Sequence, residues 1–126
     1  MVSNAAQLWR AGVERGIGRL GTLVVAVSRS PETSNDVAVG FCNGVIRAFP
    51  DYLGGAKYAT MPHFFVRDDV RGQGVGRRLY RSFEQWCTER GCSSIESYVA
   101  INDERAMQFW EGSAFQRENT QIRRFL

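Results

Sequence analysis

Apolar and polar positions divide the chain into short blocks of changing period. Residues 22 to 28 (TLVVAVS) and 37 to 49 (VAVGFCNGVIRAF) are β-branched and apolar, which predicts two strands. SPETSND between them is turn-forming, so the pair reads as a hairpin. Gly44 marks a candidate bulge in its second arm. PDYLGG reads as a loop, and residues 57 to 66 (KYATMPHFFV) as a third strand in which Pro62 withholds one backbone donor. The period then lengthens. Val75, Leu79, Phe83, Trp86 and Cys87 share one face at i, i+4, i+8 spacing, predicting a helix over 75 to 90 with Gly91 as its stop. Residues 93 to 101 (SSIESYVAI) predict a fourth strand. Residues 102 to 115 predict a helix capped by Asn102 or Asp103, with acid in its first turn. Residues 115 to 126 read as a closing strand. At the other end, residues 3 to 15 predict a helix with Ala6, Leu8, Trp9 and Val13 on its apolar face, broken by GIGRLG. The order is helix, three strands, then strand–helix alternation, which predicts a single α/β domain over residues 1 to 126 with a mixed sheet.

Composition narrows the class. The 126 residues are 44% hydrophobic and 23% charged, ordinary for a globular protein. No apolar run approaches the roughly 20 residues of a membrane span, and Gln7 and Arg10 interrupt any basic-then-apolar leader. A cytoplasmic protein with no membrane partner is expected. Cys42, Cys87 and Cys92 form no CxxC pair, so reduced thiols are expected and no metal site. The net charge is +3, and nearly every cation is arginine, a residue suited to bidentate contact with phosphate. The arginines are scattered and the aromatics follow core periodicities, which argues against a nucleic-acid partner.

The chemistry concentrates in VRDDVRGQGVGRRLY, residues 66 to 80, where Gly72, Gly74 and Gly76 alternate and Arg71, Arg77 and Arg78 flank them. A strand precedes this stretch and a helix follows. The first amides of a helix lack internal partners and carry partial positive charge, so this junction suits an anion. Glycines without Cβ atoms let a bulky phosphate approach those amides. A P-loop requires a Gly-Lys pair, which is absent. A dinucleotide fingerprint requires glycine at position 77, which is Arg77.

What fits is R-x-x-G-x-G, Arg71 to Gly76, after a strand ending in valine. With FFVRDDVRGQGVGRRLYRSFEQWCTERGC before and ERAMQFWEGSAF after, the chain over residues 57 to 126 resembles the GNAT superfamily of N-acetyltransferases. The resemblance implies a GNAT-like, mostly antiparallel central sheet flanked by helices, shortened at the N-terminus. It implies acetyl-CoA as co-substrate and a small-molecule or peptide amine as acceptor, attacking the thioester directly. The main chain of Phe64, Phe65 and Val66 would pair with the pantetheine arm, and an N–H near Phe65 or Val66 would serve the oxyanion. Arg71, Gly72, Gln73, Gly74, Val75, Gly76 and Arg77 would hold the pyrophosphate. Asn102, one residue before the family's asparagine position at Asp103, and Trp110 would complete the cofactor side.

The departures matter as much. Trp110 stands where many members carry a tyrosine acid, and an indole N–H is far too weak an acid for that role. Tyr98 is the substitute acid and Glu96 the candidate base, since residues 57 to 66 hold no carboxylate. His63, the single histidine, falls on the face opposite residues 64 and 66 by alternation, which favours packing. Ala114 replaces the family glycine before the last phenylalanine. Without a preceding strand, TLVVAVS would lie at a sheet edge, which makes a homodimer plausible. A non-catalytic acyl-CoA-binding module is the alternative reading. VIRAFPDYLGG is similar to a segment of aminoglycoside 6′-N-acetyltransferases. A basic chain suits a polycationic drug poorly unless Asp51, Asp68, Asp69 and Glu96 gather, so small amines, amino acids and a protein N-terminus stay open as acceptors.

Overall fold

A computed structural model describes residues 11, 14, 15, 17–29 and 36–126. Most of the expected N-terminal helix and nearly all of the SPETSND turn lie outside the described residues. Four strands form one sheet in the order β1-β2-β3-β4: β1 (Gly21–Arg29), β2 (Asp36–Ala48), β3 (Lys57–Val66) and β4 (Ser94–Glu96). The first two pairings are antiparallel and the last is parallel. Helices α1 (Val75–Glu89) and α2 (Glu104–Gly112) complete a mixed α/β fold.

The strand pattern sorts side chains onto two faces. Val24, Cys42 and Phe64 lie in one cross-strand row on the α1 side, while Val25, Phe41 and Phe65 form a row on the outer face. Helix α1 buries Val75, Leu79, Tyr80, Phe83 and Cys87 against the first face, the stripe its periodicity foretold. Phe83 is fully enclosed, and it fits only because residue 44 is glycine: a Cβ there would come within 2.1 Å of its ring. The α1 stop also follows the sequence. Gly91 adopts φ +77, its N–H bonds to the Thr88 carbonyl (3.1 Å), and the Cys92 N–H reaches the Cys87 carbonyl (3.1 Å). Helix α2 ends the same way at Ala114, whose φ of +68 costs an alanine roughly 1 kcal/mol that glycine would avoid. At its start, the Asp103 carboxylate accepts from the Ala106 N–H at 3.0 Å, so the cap is Asp103 rather than Asn102.

The register of β2 against β3 shifts at Gly44. Asn43 pairs with His63 and Val45 with Thr60, so Met61 and Pro62 together oppose one glycine. The ladder is irregular at Gly44 as expected, but the extra residue lies in β3 rather than in β2, where it accommodates Pro62, because a bulged residue does not donate to the ladder. The bulge sits where β4 leaves: β4 pairs with β3 only through Tyr58–Ser94, Ala59–Ile95 and Thr60–Glu96.

Two expectations fail. The fourth strand, expected over residues 93 to 101, ends at Glu96, because past the bulge β3 offers no continuing partner; the Ser97 hydroxyl still reaches across, donating to the Met61 carbonyl at 2.9 Å. The closing strand over residues 115 to 126 does not form. Phe115 packs against Tyr80 and Trp110, but residues 116–126 are exposed, belong to no strand or helix, and make no backbone hydrogen bond with the described residues.

Candidate active site

Beyond the bulge, the outer part of β3 and the chain after β4 separate into a notch. The main chain of β3 sets which groups face it. The Arg67 N–H donates to the Val39 carbonyl at 2.8 Å, and alternation then turns the N–H and C=O of Phe65 toward β2. The same groups of Phe64 and Val66 turn away from β2, into the notch. The Val66 carbonyl accepts from Arg71 Nε at 3.0 Å. Of residues 64 to 66, Phe64 and Val66 thus present main-chain groups to the notch, while Phe65 sends its ring to the outer face, 5.9 Å from that of Phe41.

At the far end of β3 the chain makes a 3₁₀ turn (Asp68–Val70) and enters the glycine loop. Arg71 holds this turn: besides the Val66 carbonyl it pairs with Asp68 at 2.6 Å. Arg67 pairs with Asp69 through Nε at 2.8 Å, which keeps the Asp69 carboxyl below its ordinary range. Both acids beside the loop are thus matched by arginine and do not oppose an incoming anion. Gly72 and Gly74 adopt φ of +82 and +81, a region side chains rarely enter, and among the described residues, chain neighbours aside, no atom lies within 4 Å of where their Cβ atoms would be. Gly74 caps α1 with no side-chain hydrogen bond, and the first turn carries no acid. The first intrahelical bond runs from the Arg78 N–H to the Gly74 carbonyl at 3.1 Å, so the amides of Val75, Gly76 and Arg77 have no helical partner. Gly76 has another role: a Cβ there would lie 3.2 Å from the Phe109 ring, so it permits close seating of α1 on α2.

This arrangement passes a direct test of fit to a diphosphate: open space over two glycines, unpartnered amides, partial positive charge, and Arg77 exposed beside them. Gln73 is also exposed on the loop.

On the outer face, the end of β3–β4 pairing forms a throat. Ala59 and Met61 point to the core, so Thr60 and its partner Glu96 face outward, and Tyr98 follows two residues beyond the end of β4. His63 shares the face: its Nδ1 lies 2.9 Å from Oδ1 of the buried Asn43, within hydrogen-bond reach. Glu96 is exposed and Tyr98 is 85% exposed. Asn102 is an exposed turn residue just ahead of the α2 cap. Trp110, by contrast, is 6% exposed and surrounded by Phe64, Tyr80, Phe109 and Phe115, with centroid separations of 4.8 to 5.6 Å. Its packing alone accounts for the ring.

Several groups cannot take part in proton or acyl transfer. Burial pushes the Cys42 and Cys87 thiols up to about 12, so neither supplies a thiolate near neutral pH. Burial, with Glu84 beside it, also holds the Tyr80 phenol well above its usual range, leaving it a poor acid. The carboxylates considered for a polycation do not gather. Asp51 lies before the ten-residue β3 and Asp68 and Asp69 after it, roughly 30 Å apart by strand rise. Sequence reasoning missed the Asn43–His63 pair and the shared outward face of His63, Thr60 and Glu96. The signal was there in the alternation of β3, but reading it required the two-residue bulge at Met61–Pro62.

Comparison with known proteins agrees with this geometry. The pattern of the Acetyltransferase (GNAT) family matches residues 30–115. The aminoglycoside N(6′)-acetyltransferase type 1 of Klebsiella aerogenes is 26% identical over 109 residues, covering 86% of this chain and 68% of that one. Among solved structures, a transcriptional regulator from Bacillus halodurans superposes with a TM-score of 0.77 at 22% identity, over 96% of this chain and 76% of the other. The aminoglycoside acetyltransferase AAC(6′)-Iy, in complex with a bisubstrate analogue of CoA and acetylneamine, superposes with a TM-score of 0.77 at 17% identity, over 98% and 80%. A glycine loop with open amides, a bulged strand parting from its parallel neighbour, and a family pattern spanning both identify this chain as a member of the GNAT family of acetyltransferases.

Proposed function

We propose that this protein is an N-acetyltransferase that moves an acetyl group from acetyl-CoA to a primary amine of a small, weakly charged acceptor. The observation that carries the reading is the set of unpartnered amides at Val75, Gly76 and Arg77 beneath two glycines with open space above them. When bound, acetyl-CoA supplies an acetyl thioester whose carbonyl carbon is open to attack by an amine. The diphosphate would rest on the loop from Arg71 to Arg77, with Arg71 holding the loop against Val66 and Asp68. The pantetheine arm would take the place of a strand beside Phe64 and Val66, and the Val66 N–H is the donor best placed for developing negative charge on the carbonyl oxygen.

The helix face of the notch is filled by Phe64, Phe109 and Trp110, so the acceptor approaches from the outer face. There Glu96 takes the ammonium proton, directly or through water, and Tyr98 returns a proton to the departing thiolate. No acetyl-cysteine is invoked, since the buried thiols stay protonated. An aminoglycoside is the acceptor named for two of the similar proteins. In this chain Glu96 is the one carboxylate of the four that stands at the throat, which suits a single amine better than a polycation.

One observation favours a second reading, an acyl-CoA-binding module without turnover: Trp110, at the position of the usual tyrosine acid, is enclosed in the core. The separating experiment is calorimetry with acetyl-CoA, followed by a thiol-release assay across monoamines, amino acids, peptides and aminoglycosides. The enzyme reading expects micromolar-range binding, release with at least one monoamine, and weaker release with aminoglycosides. Binding without release across the panel selects the module, and no binding removes both.

A further inference from the structure

On the outer face of the sheet, cross-strand rows lead away from the throat. Val45, Thr60 and Glu96 form one row, and Arg47, Tyr58 and Ser94 form the next, a two-residue step farther from the glycine loop. Side chains two residues apart on a strand share a face, so the two rows lie side by side. Lys57 turns the other way and donates to the Arg90 carbonyl at the end of α1 (3.4 Å), which leaves its neighbour Tyr58 on the outer side. Phe49 closes the far end, with its ring 4.6 Å from that of Tyr58.

Charge on this face is sparse and opposed. Glu96 carries the negative end and Arg47 the positive one, and both are exposed. The ion pairs formed among the described residues use other groups: Arg67 with Asp69, Arg71 with Asp68, and Arg117 with Glu104 and Glu111. Glu96 and Arg47 do not neutralise each other either. Two strand spacings and one two-residue step put their main chains roughly 12 Å apart, on a diagonal across Thr60 and Tyr58. A solute that brings an ammonium to the one and a carboxylate to the other satisfies both, and a guanidinium binds a carboxylate through two parallel hydrogen bonds. The half-buried Thr60 and Tyr58 give the body of such a solute a floor between the two charges.

We propose that Arg47 selects the acceptor, which is a primary amine carrying a carboxylate several bonds away, as in an ω-amino acid or a short peptide. The proposal rests on the acetyltransferase reading above and names its substrate class. The amine turns toward the notch and Glu96. The carboxylate reaches Arg47, on the side away from the glycine loop, so its charge stays clear of the diphosphate. An α-amino acid, whose two charged groups sit on one carbon, is too short to meet both residues. A diamine or a polycationic sugar brings a second ammonium to a guanidinium and is disfavoured.

The test is thiol release with 6-aminohexanoate, hexylamine and 1,6-diaminohexane, which share one length and differ in the charge of the far end, with triglycine beside them. The better of 6-aminohexanoate and triglycine should exceed hexylamine in kcat/KM by about tenfold or more, with the diamine lowest, and the faster of the two acids tells alkyl from peptide acceptor. Arg47→Gln and Arg47→Ala should bring that ratio to within about twofold, and Arg47→Glu should put the diamine ahead of the acids. Retained acetyl-CoA binding in calorimetry shows that each variant is folded. A wild-type ratio near one, or a ratio that survives in the variants, overturns the proposal. If no amine releases thiol, the turnover reading fails and this one is decided by calorimetry of the same amines on the CoA-saturated protein. A preference for the acids of about tenfold that Arg47→Gln removes supports it, and equal binding of acid and hexylamine overturns it.

Discussion

At the loop end of the notch, the groups that would meet a ligand are main-chain amides: Val75, Gly76 and Arg77 at the start of α1, then Val66 and Phe64 along β3. At the throat they are side chains: Glu96, Tyr98 and His63 with Asn43 behind it. The first end constrains sequence by subtraction. A site made of amides needs side chains removed at fixed places, so Gly72 and Gly74 announce it locally. The second end constrains sequence by juxtaposition. Residues 20 to 35 positions apart must land on one face, and no single stretch announces that.

Substitutions should separate the two ends. The largest effect is expected at the loop. Gly74→Val would put a branched side chain at φ +81 and into the open cradle, and should weaken CoA binding about a hundredfold or more in calorimetry while the denaturation midpoint moves little beyond the roughly 1–2 kcal/mol of backbone strain. The throat should respond in the opposite sense. Glu96→Gln should lower kcat about a hundredfold with the CoA dissociation constant unchanged, measured by thiol release beside calorimetry. A loss of CoA affinity in that variant would erase the distinction between the ends.

The wall shared by both ends is probed by Gly44→Ala. Its added methyl would overlap the Phe83 ring, so a loss of about 1–3 kcal/mol is expected in urea denaturation, with kcat and CoA binding both reduced only as far as the fold loosens. The buried thiols add a pH signature. Cys42 and Cys87 titrate higher in the folded protein than in the unfolded chain, so folding favours the protonated forms. That stabilisation is complete below the unfolded value of 9.0 and is lost as pH rises toward about 12. The urea midpoint should therefore fall above pH 9, and Cys42→Ala should flatten the decline. The smallest effect is at Arg71. Arg71→Ala removes an exposed ion pair and the bond to Val66, and should weaken CoA binding only about threefold, since the amides remain and exposed pairs contribute little.

The same contrast explains which parts of the fold were legible. Helix α1 was readable because its buried stripe repeats within one element, and its stop because only Gly91 suits that left-handed turn. Gly44 marks the irregular point of the ladder as a glycine in a strand, but it does not tell that the extra residue belongs to β3 at Met61–Pro62, since register belongs to two strands at once. The fourth strand was overextended because SSIESYVAI has strand propensity throughout, whereas pairing ends where β3 turns away. Residues 115 to 126 mislead for a related reason: their pattern states a preference for extended chain but not where the partner is. Trp110 was placed correctly in α2, but a cofactor role does not follow from position when four aromatic neighbours already enclose the ring.

Amide chemical shifts followed during titration with CoA test the central claim most directly. The account predicts that resonances of Gly74, Val75, Gly76 and Arg77 move most and together, with Phe64 and Val66 following and the throat residues nearly still. Binding that leaves the amides of residues 74 to 77 unmoved, or no binding at all, would contradict it.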